Sequence, residues 1–489
     1  MITGAVHGAF SQERFALLPV GHWSYRYIDL LQERGLLGSL PWSMRPLNRY
    51  DVAQALARLN EQNLDSAERA WFQLLRREFR VEFEQLDETA TTRIGASAAS
   101  DFSVVDSKSD FDGRTDISVE HVMPHFTFSA RGRIDGSLID DTTYDGRHSR
   151  YFGARMEDAV GFFHTRHLFA YIGRFSENWG PFDRSLILSS NPYSFDKIGL
   201  GFRSKRIAFR SFVAQLDDIA GARRFATGHR LDIVFPRGIQ LGLSETVVYG
   251  NPGQHIDFAY LNPFTLFADA QLNDKKEANE NISIDAVWPT RRVITRFQFL
   301  IDDFILDGPG DPPPNTETSP HRLGWAGSVT LHDVAVKQSR VEIFYSRLGT
   351  HTYNVKSKRP WQSYTYRDRG LGWPYNDGDH VALSLTYLGV SSWLFETEWS
   401  YHRQGQRRLV SHDFDDSTFV KSPTYPSGVV EKTLTSAWRA LYQPNYSFDV
   451  QAAVMFNFIR NKNHVTGRSK EMAAQLTVRY SWWHPFRDL

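Results

Sequence analysis

Two stretches of this 489-residue chain hold the residue types that recognise sugars. The first is G-R-F-S-E-N-W-G-P-F-D-R-S-L-I-L-S-S-N, from Gly173 to Asn191, with Arg174, Glu177, Asn178, Trp179, Asp183 and Arg184 inside it. The second, 349–380, carries Trp361, Tyr364, Tyr366-Arg367-Asp368-Arg369, Trp373 and Asp377. Guanidinium, carboxylate and amide groups bond sugar hydroxyls, while an aromatic face covers the apolar side of the ring. The candidate binding residues are therefore Arg174, Glu177, Asn178, Trp179, Arg184, Trp361, Tyr364, Arg367, Trp373 and Asp377. Each stretch has a plainer reading beside this one. The first can be a loop folded into an interior, its charges held in pairs because buried charges require partners. The second can be a loop packed on itself.

Catalysis has weaker support. Asp302-Asp303 with Glu342 or Glu396 invites a glycosidase reading with paired carboxylates. Neighbours on a strand point to opposite faces, so Asp302 and Asp303 cannot form such a pair unaided. No P-loop, G-x-S-x-G or H-E-x-x-H motif is present, and no cofactor or metal is expected.

These stretches must be positioned by a scaffold that composition narrows. With 56 basic and 56 acidic residues the formal net charge is 0, which argues against nucleic-acid binding by bulk phosphate attraction. The chain has no cysteine, so disulfides, thiolate metal sites and a Cys nucleophile are excluded. No run approaches the roughly 18 apolar residues that a spanning helix needs. The N-terminus has no basic region and too short an apolar run for a complete export signal. Residues 1–20 are expected to be a leader or linker, the remnant of a trimmed or cleaved start.

From Trp23 to Leu86 the apolar spacing is helical, which predicts a small bundle over 21–88. Tyr27, Ile28, Leu31, Leu36 and Leu37 make one helix closed by Gly35 and Gly38. Val52, Ala55, Leu56 and Leu59 make a second, and 66–86 a longer third. The first half resembles an S-layer-homology repeat, through H-W-S-Y-R-Y-I-D-L-L-Q-E-R-G-L-L-G and R-P-L-N-R-Y-D-V-A-Q-A-L. That resemblance implies a cell-wall polymer as partner, with Arg45, Arg49 and Asp51 as contacts. The alternative is that Arg49 and Asp51 start and solvate a helix.

After about residue 90 the period becomes two. Phe126, Phe128, Ile134 and Leu138 share one face, while Thr127, Arg131, Arg133 and Asp135 share the other. The same alternation recurs at 239–249, 393–402 and 475–482. A soluble sandwich alternates too, because one face of each sheet meets water. Long strands, Trp and Tyr at the ends of the apolar faces, and short turns alternating with long loops favour a transmembrane barrel over 89–489. The count is roughly 16–20 strands, with a turn supposed at Asn262-Pro263. The fold class expected is mainly β: a large antiparallel transmembrane barrel of about 18 strands with an N-terminal helical bundle. Barrels of this kind usually end on an aromatic residue, whereas this chain runs past Trp483 through His484-Pro485-Phe486.

The Gly173–Asn191 block, Y-L-N-P-F at 260–264, I-D-D-F at 301–304 and D-G-D-H at 377–380 together resemble the Wzi capsule-assembly family. The resemblance implies an eighteen-stranded outer-membrane barrel of a Gram-negative cell, with its helical bundle in the periplasm. It further implies a non-enzymatic lectin that retains capsular or other surface polysaccharide, with outer-membrane lipid around it. Two rivals stay open: a porin conducting sugars or polymer through a charged lumen, and an all-β carbohydrate-active enzyme.

Overall fold

The computed structural model describes residues 14–84, 90–273, 276–303, 322–334, 336–355, 358–410 and 424–486. The first 13 residues, the Pro-Gly run 307–315 and the acidic run 413–416 lie outside them.

Four helices form the N-terminal bundle: α1 Tyr25–Glu33, α2 Arg49–Ala57, α3 Ser66–Glu78 and α4 Arg80–Glu84. Gly35 ends α1 at φ +79°, a backbone that glycine adopts without strain. There Leu36 N–H donates to Leu31 O and Gly35 N–H to Gln32 O, satisfying carbonyls the helix would leave open. Asp65 and Glu68 cap α3 reciprocally. The long third helix expected from the spacing is two, because the chain bends at Phe79, whose buried ring lies under the Arg49 guanidinium. Residues before 21 also belong to the bundle. Leu17–Leu18 pairs with Leu47–Asn48, and Ala16 N–H donates to Asn48 Oδ1. The leader expected up to residue 20 is thus packed structure from residue 14 onward.

Eighteen antiparallel strands close the barrel, from Thr91–Val105 to Arg468–Phe486. The last strand pairs with the first and reaches Phe486, opposite Thr92, so His484 and Pro485 extend the wall. Phe126, Phe128 and Ile134 face outward and are exposed. Between them, Arg131 and Arg133 face the lumen and pair with Asp158 and Asp116, each at 2.7 Å. Exposed apolar side chains recur around the wall, among them Ile172, Ile198, Trp288, Phe297, Trp438 and Tyr480. A closed barrel wearing such a belt has lipid as its solvent. The turn supposed at Asn262-Pro263 joins no pair of strands. Strand Gln240–Asn251 pairs directly with Asn279–Pro289, and the residues between them are an extracellular insertion.

The bundle docks at the short-turn end, where Leu388, Leu394 and Leu441 enter its apolar core. Charge aligns the two parts. A buried chain runs from Glu78 through Arg49 (3.0 Å) and Glu82 (2.5 Å) to Arg93 (2.5 Å) and Glu120. Arg49 is 1% exposed, so it is spent on docking and is closed to a cell-wall polymer. Asp51 holds Arg203 of the barrel, and Arg45 holds Asp29 and Asp183. Burial alone would raise the Glu82 carboxyl, but Arg49 and Arg93 override it and hold it at about 2. A carboxyl depressed in the folded state contributes stability above its ordinary value and loses it as pH falls through the folded one. Docking is therefore expected to weaken as pH drops from about 4.5 toward 2. Hydrogen exchange in 49–84 checks this, and Glu82→Gln should weaken protection at neutral pH and flatten the transition.

Candidate functional site

The Gly173–Asn191 block leaves the extracellular end of strand Leu168–Arg174 and turns into the lumen. Gly173 permits the turn: its φ is +131°, and a Cβ there would lie 2.1 Å from Ala159 O. Glu177 is buried between Lys197 (2.6 Å) and Arg210 (2.8 Å). The Asn178 amide donates to Gly180 O and Phe182 O and accepts from Ser185 N–H. Trp179 is fully buried, its ring 5.4 Å from that of Phe212 on the wall. Gln298, pointing inward from another strand, accepts Leu186 N–H and donates to Trp179 O. Asn178–Trp179 then pairs antiparallel with Met44–Arg45, so a loop entering from the long-loop end touches the helical bundle at the other. The block is a plug.

Residues 349–355 and 358–377 lie over that plug as a lid. Tyr353 and Tyr364 stack at 5.4 Å; the Tyr364 hydroxyl donates to Ile187 O, and that of Tyr353 to Leu186 O. Ser189 N–H donates to Leu371 O, and the buried Arg224 reaches the carbonyls of Trp361 and Thr365. Asp302 accepts Tyr353 N–H at 2.6 Å. Trp373 stacks on Phe344 of the wall. Asp377 accepts from the hydroxyl of Thr350 and the backbone N–H groups of Arg407 and Ser427, tying two loops together.

Six of the ten predicted site residues, Glu177, Asn178, Trp179, Tyr364, Trp373 and Asp377, are buried inside plug and lid. Trp361 is half-buried on the lid, and Arg184 is exposed beside Asp183, which reaches the bundle. Arg174 and Arg367 stand on the extracellular rim, paired with Asp196 and Asp145. They belong to a larger patch. Arg369 lies 4.3 Å over the Tyr193 ring, holds Asp141, and donates to Thr143 Oγ1 at 2.7 Å. Arg155 lies 4.0 Å from the same ring, and Tyr144 meets it edge-on. Burial opposes the Asp141 charge, but bonds from Thr143 and Tyr193 with the Arg369 charge hold its carboxyl below the usual range. Asp141 is thus a fixed anion beside two guanidiniums and an aromatic face.

Beneath this patch a cavity of about 370 Å³ follows the lumen wall. Tyr193, Arg155 and Arg369 line its upper end, and Arg93 and Trp483 the end at the bundle. Arg369 falls within a loop that composition marks for sugar chemistry, whereas Asp141, Tyr144, Arg155 and Tyr193 fall outside both marked stretches or at the edge of one. The Asp-Thr-Thr-Tyr content of loop 141–144 is the one local signal that points to them. Among the described residues no group of His, Asp and Glu is arranged to hold a metal. Of the carboxylates in the glycosidase reading, Glu342 is engaged with Arg340, Glu396 with Arg439 and Asp302 with the lid, and the Asp303 side chain lies outside those described.

No family model matches the sequence, and no curated protein does. Solved structures do match. Wzi of Escherichia coli, an outer-membrane protein involved in group 1 capsule assembly and a carbohydrate-binding β-barrel, superposes with a TM-score of 0.63. Identity is 14%, over 95% of this chain and 99% of the Wzi chain. The barrel has the Wzi fold. The whole span 91–486, loops included, is about four-fifths of the chain, so the likeness to Wzi must take in bundle residues as well. OpdK of Pseudomonas aeruginosa, solved with vanillate, reaches a TM-score of 0.50 at 10% identity, over 80% of this chain and 99% of its own. This is an outer-membrane β-barrel of the Wzi shape, in which the wall is filled by a plug and a lid.

Proposed function

We propose that this protein holds surface polysaccharide at its extracellular mouth, without chemical conversion. The observation that carries the reading is the rim patch of Arg369, Tyr193, Asp141, Arg155, Arg367 and Arg174, set above a plugged lumen. Fixed guanidiniums and carboxylates bond hydroxyl or acidic groups; Tyr193 is buried against the guanidiniums, and the half-buried Tyr144 beside it offers an aromatic surface to a sugar ring. Trp361 on the lid extends the candidate surface, whereas Arg184 follows the bundle-bound Asp183 and stands apart from that mouth. The six buried residues serve it by holding the lid rigid, which lowers the ordering cost of binding. Wzi binds carbohydrate and takes part in capsule assembly, and its shared fold supports capsular polysaccharide as the ligand here.

The test is a binding screen of the purified protein in detergent against capsular, lipopolysaccharide-derived and cell-wall glycans. Replacing Arg367 and Arg369 together by alanine is expected to weaken retention of the preferred glycan at least about tenfold, the loss of one to two charge-assisted hydrogen bonds. Its melting temperature should stay near that of the parent. Unchanged binding in a folded double variant removes the rim patch as the site.

A further inference from the structure

The insertion between strands Gln240–Asn251 and Asn279–Pro289 folds down the outside of the barrel. Outward residues elsewhere on the wall are exposed, but here Phe225, Thr227, Glu245, Val247 and Tyr249 are all 6% exposed or less. Their cover is Tyr260, Phe267 and Ala270, carried on the short helices Phe258–Leu261 and Phe267–Leu272. A ring contact locks each step: Tyr249 with Tyr260 at 4.8 Å, and His229 with Phe267 at 4.5 Å. The covered wall is polar at one point. Glu245 bonds His229 at 2.7 Å, and Ala268 N–H of the insertion donates to the same carboxylate at 3.1 Å. Polar side chains such as these are costly facing hydrocarbon, so this wall requires its cover.

The other side of the cover is apolar as well. Phe264 is 87% exposed, Phe258 82% and Leu266 66%. Phe264 also stacks on the outward Phe209, at 6.1 Å, and so continues the lipid-facing belt. We infer that residues 252–273 are a flap seated in the lipid-facing belt of the wall, with lipid acyl chains as the partner of its outer face. An amphipathic segment with aromatic and aliphatic residues on one side and its polar groups turned inward or upward belongs at that depth. The role is to seal a polar stretch of wall that an ordinary barrel would fill with apolar side chains.

The chain has no cysteine, so single labels report cleanly. Phe258→Cys and Phe264→Cys carry a nitroxide in the full-length protein, reconstituted in phosphatidylcholine–phosphatidylglycerol vesicles, with Ile172→Cys as a belt standard and Tyr151→Cys as a water standard. Both flap labels are expected to match the belt standard, with frequent oxygen collisions and loss of collisions with a water-soluble nickel chelate. Labels that match Tyr151→Cys overturn the inference. Labels closed to both reagents, the signature of a contact with a second copy, overturn it equally.

Discussion

Glu33→Leu is expected to release the helical bundle from the barrel. Glu33 ends α1, and its carboxylate is buried between Arg296 (2.6 Å), Arg340 (2.9 Å) and His332 (3.1 Å), all from barrel strands. Burial opposes the charge, yet Arg340 and Arg296 hold the carboxyl well below its ordinary range. The leucine removes the anion and leaves two guanidiniums facing an apolar side chain. Breaking a buried pair by deleting one partner costs about 3–5 kcal/mol. The apolar contacts at Leu388, Leu394 and Leu441 remain, so the loss falls on orientation and closure of the interface. Limited proteolysis checks it: the variant should lose 14–84 early while the barrel keeps its heat-resistant migration. Glu33→Gln, which keeps the shape and loses the charge, should sit between. A variant as protease-resistant as the parent means that the apolar contacts alone dock the bundle.

The wall was legible because membrane strands repeat a simple rule, apolar outward and polar inward, and many of the hairpins are punctuated by Gly, Pro or Asn. Arg131 and Arg133 read as lumen residues from sequence because Phe126, Phe128 and Ile134 have to face lipid. The insertion at 252–273 was not legible. Asn262-Pro263 has turn composition, but Asn262 Oδ1 accepts Phe264 N–H inside the flap, a local bond that sequence cannot tell from a hairpin turn. The surroundings of the repeat-like motif were not legible for a related reason. Arg49 and Asp51 start a helix in either reading, and only the folded chain brings Glu82 of α4 and Arg93 and Arg203 of the barrel around them. The site was half legible. Composition selected loops rich in Arg, Asp, Trp and Tyr, but the same composition builds a packed lid. What separates rim from lid is a set of contacts such as Arg369 with Asp141, far apart in the chain and joined by closure of the barrel.

Trp179→Ala is expected to turn a silent barrel into a conducting one. In the parent, the indole fills the lumen against Phe212, and its backbone is held by Gln298 on one side and Met44 on the other. Removing a buried tryptophan side chain costs about 3–5 kcal/mol, and the loss falls on the plug because the wall's ladder bonds are untouched. Planar-bilayer recording should therefore give almost no current for the parent and intermittent openings for the variant. The parent trace also discriminates between the two roles this fold can serve. Steady conductance before any substitution would make the arginine-lined cavity a permeation path, and the porin reading would replace that of a plugged holder of polysaccharide. Silence in the parent with openings in the variant means that the Gly173–Asn191 block is the closure, and that glycan has to be met at the rim above it.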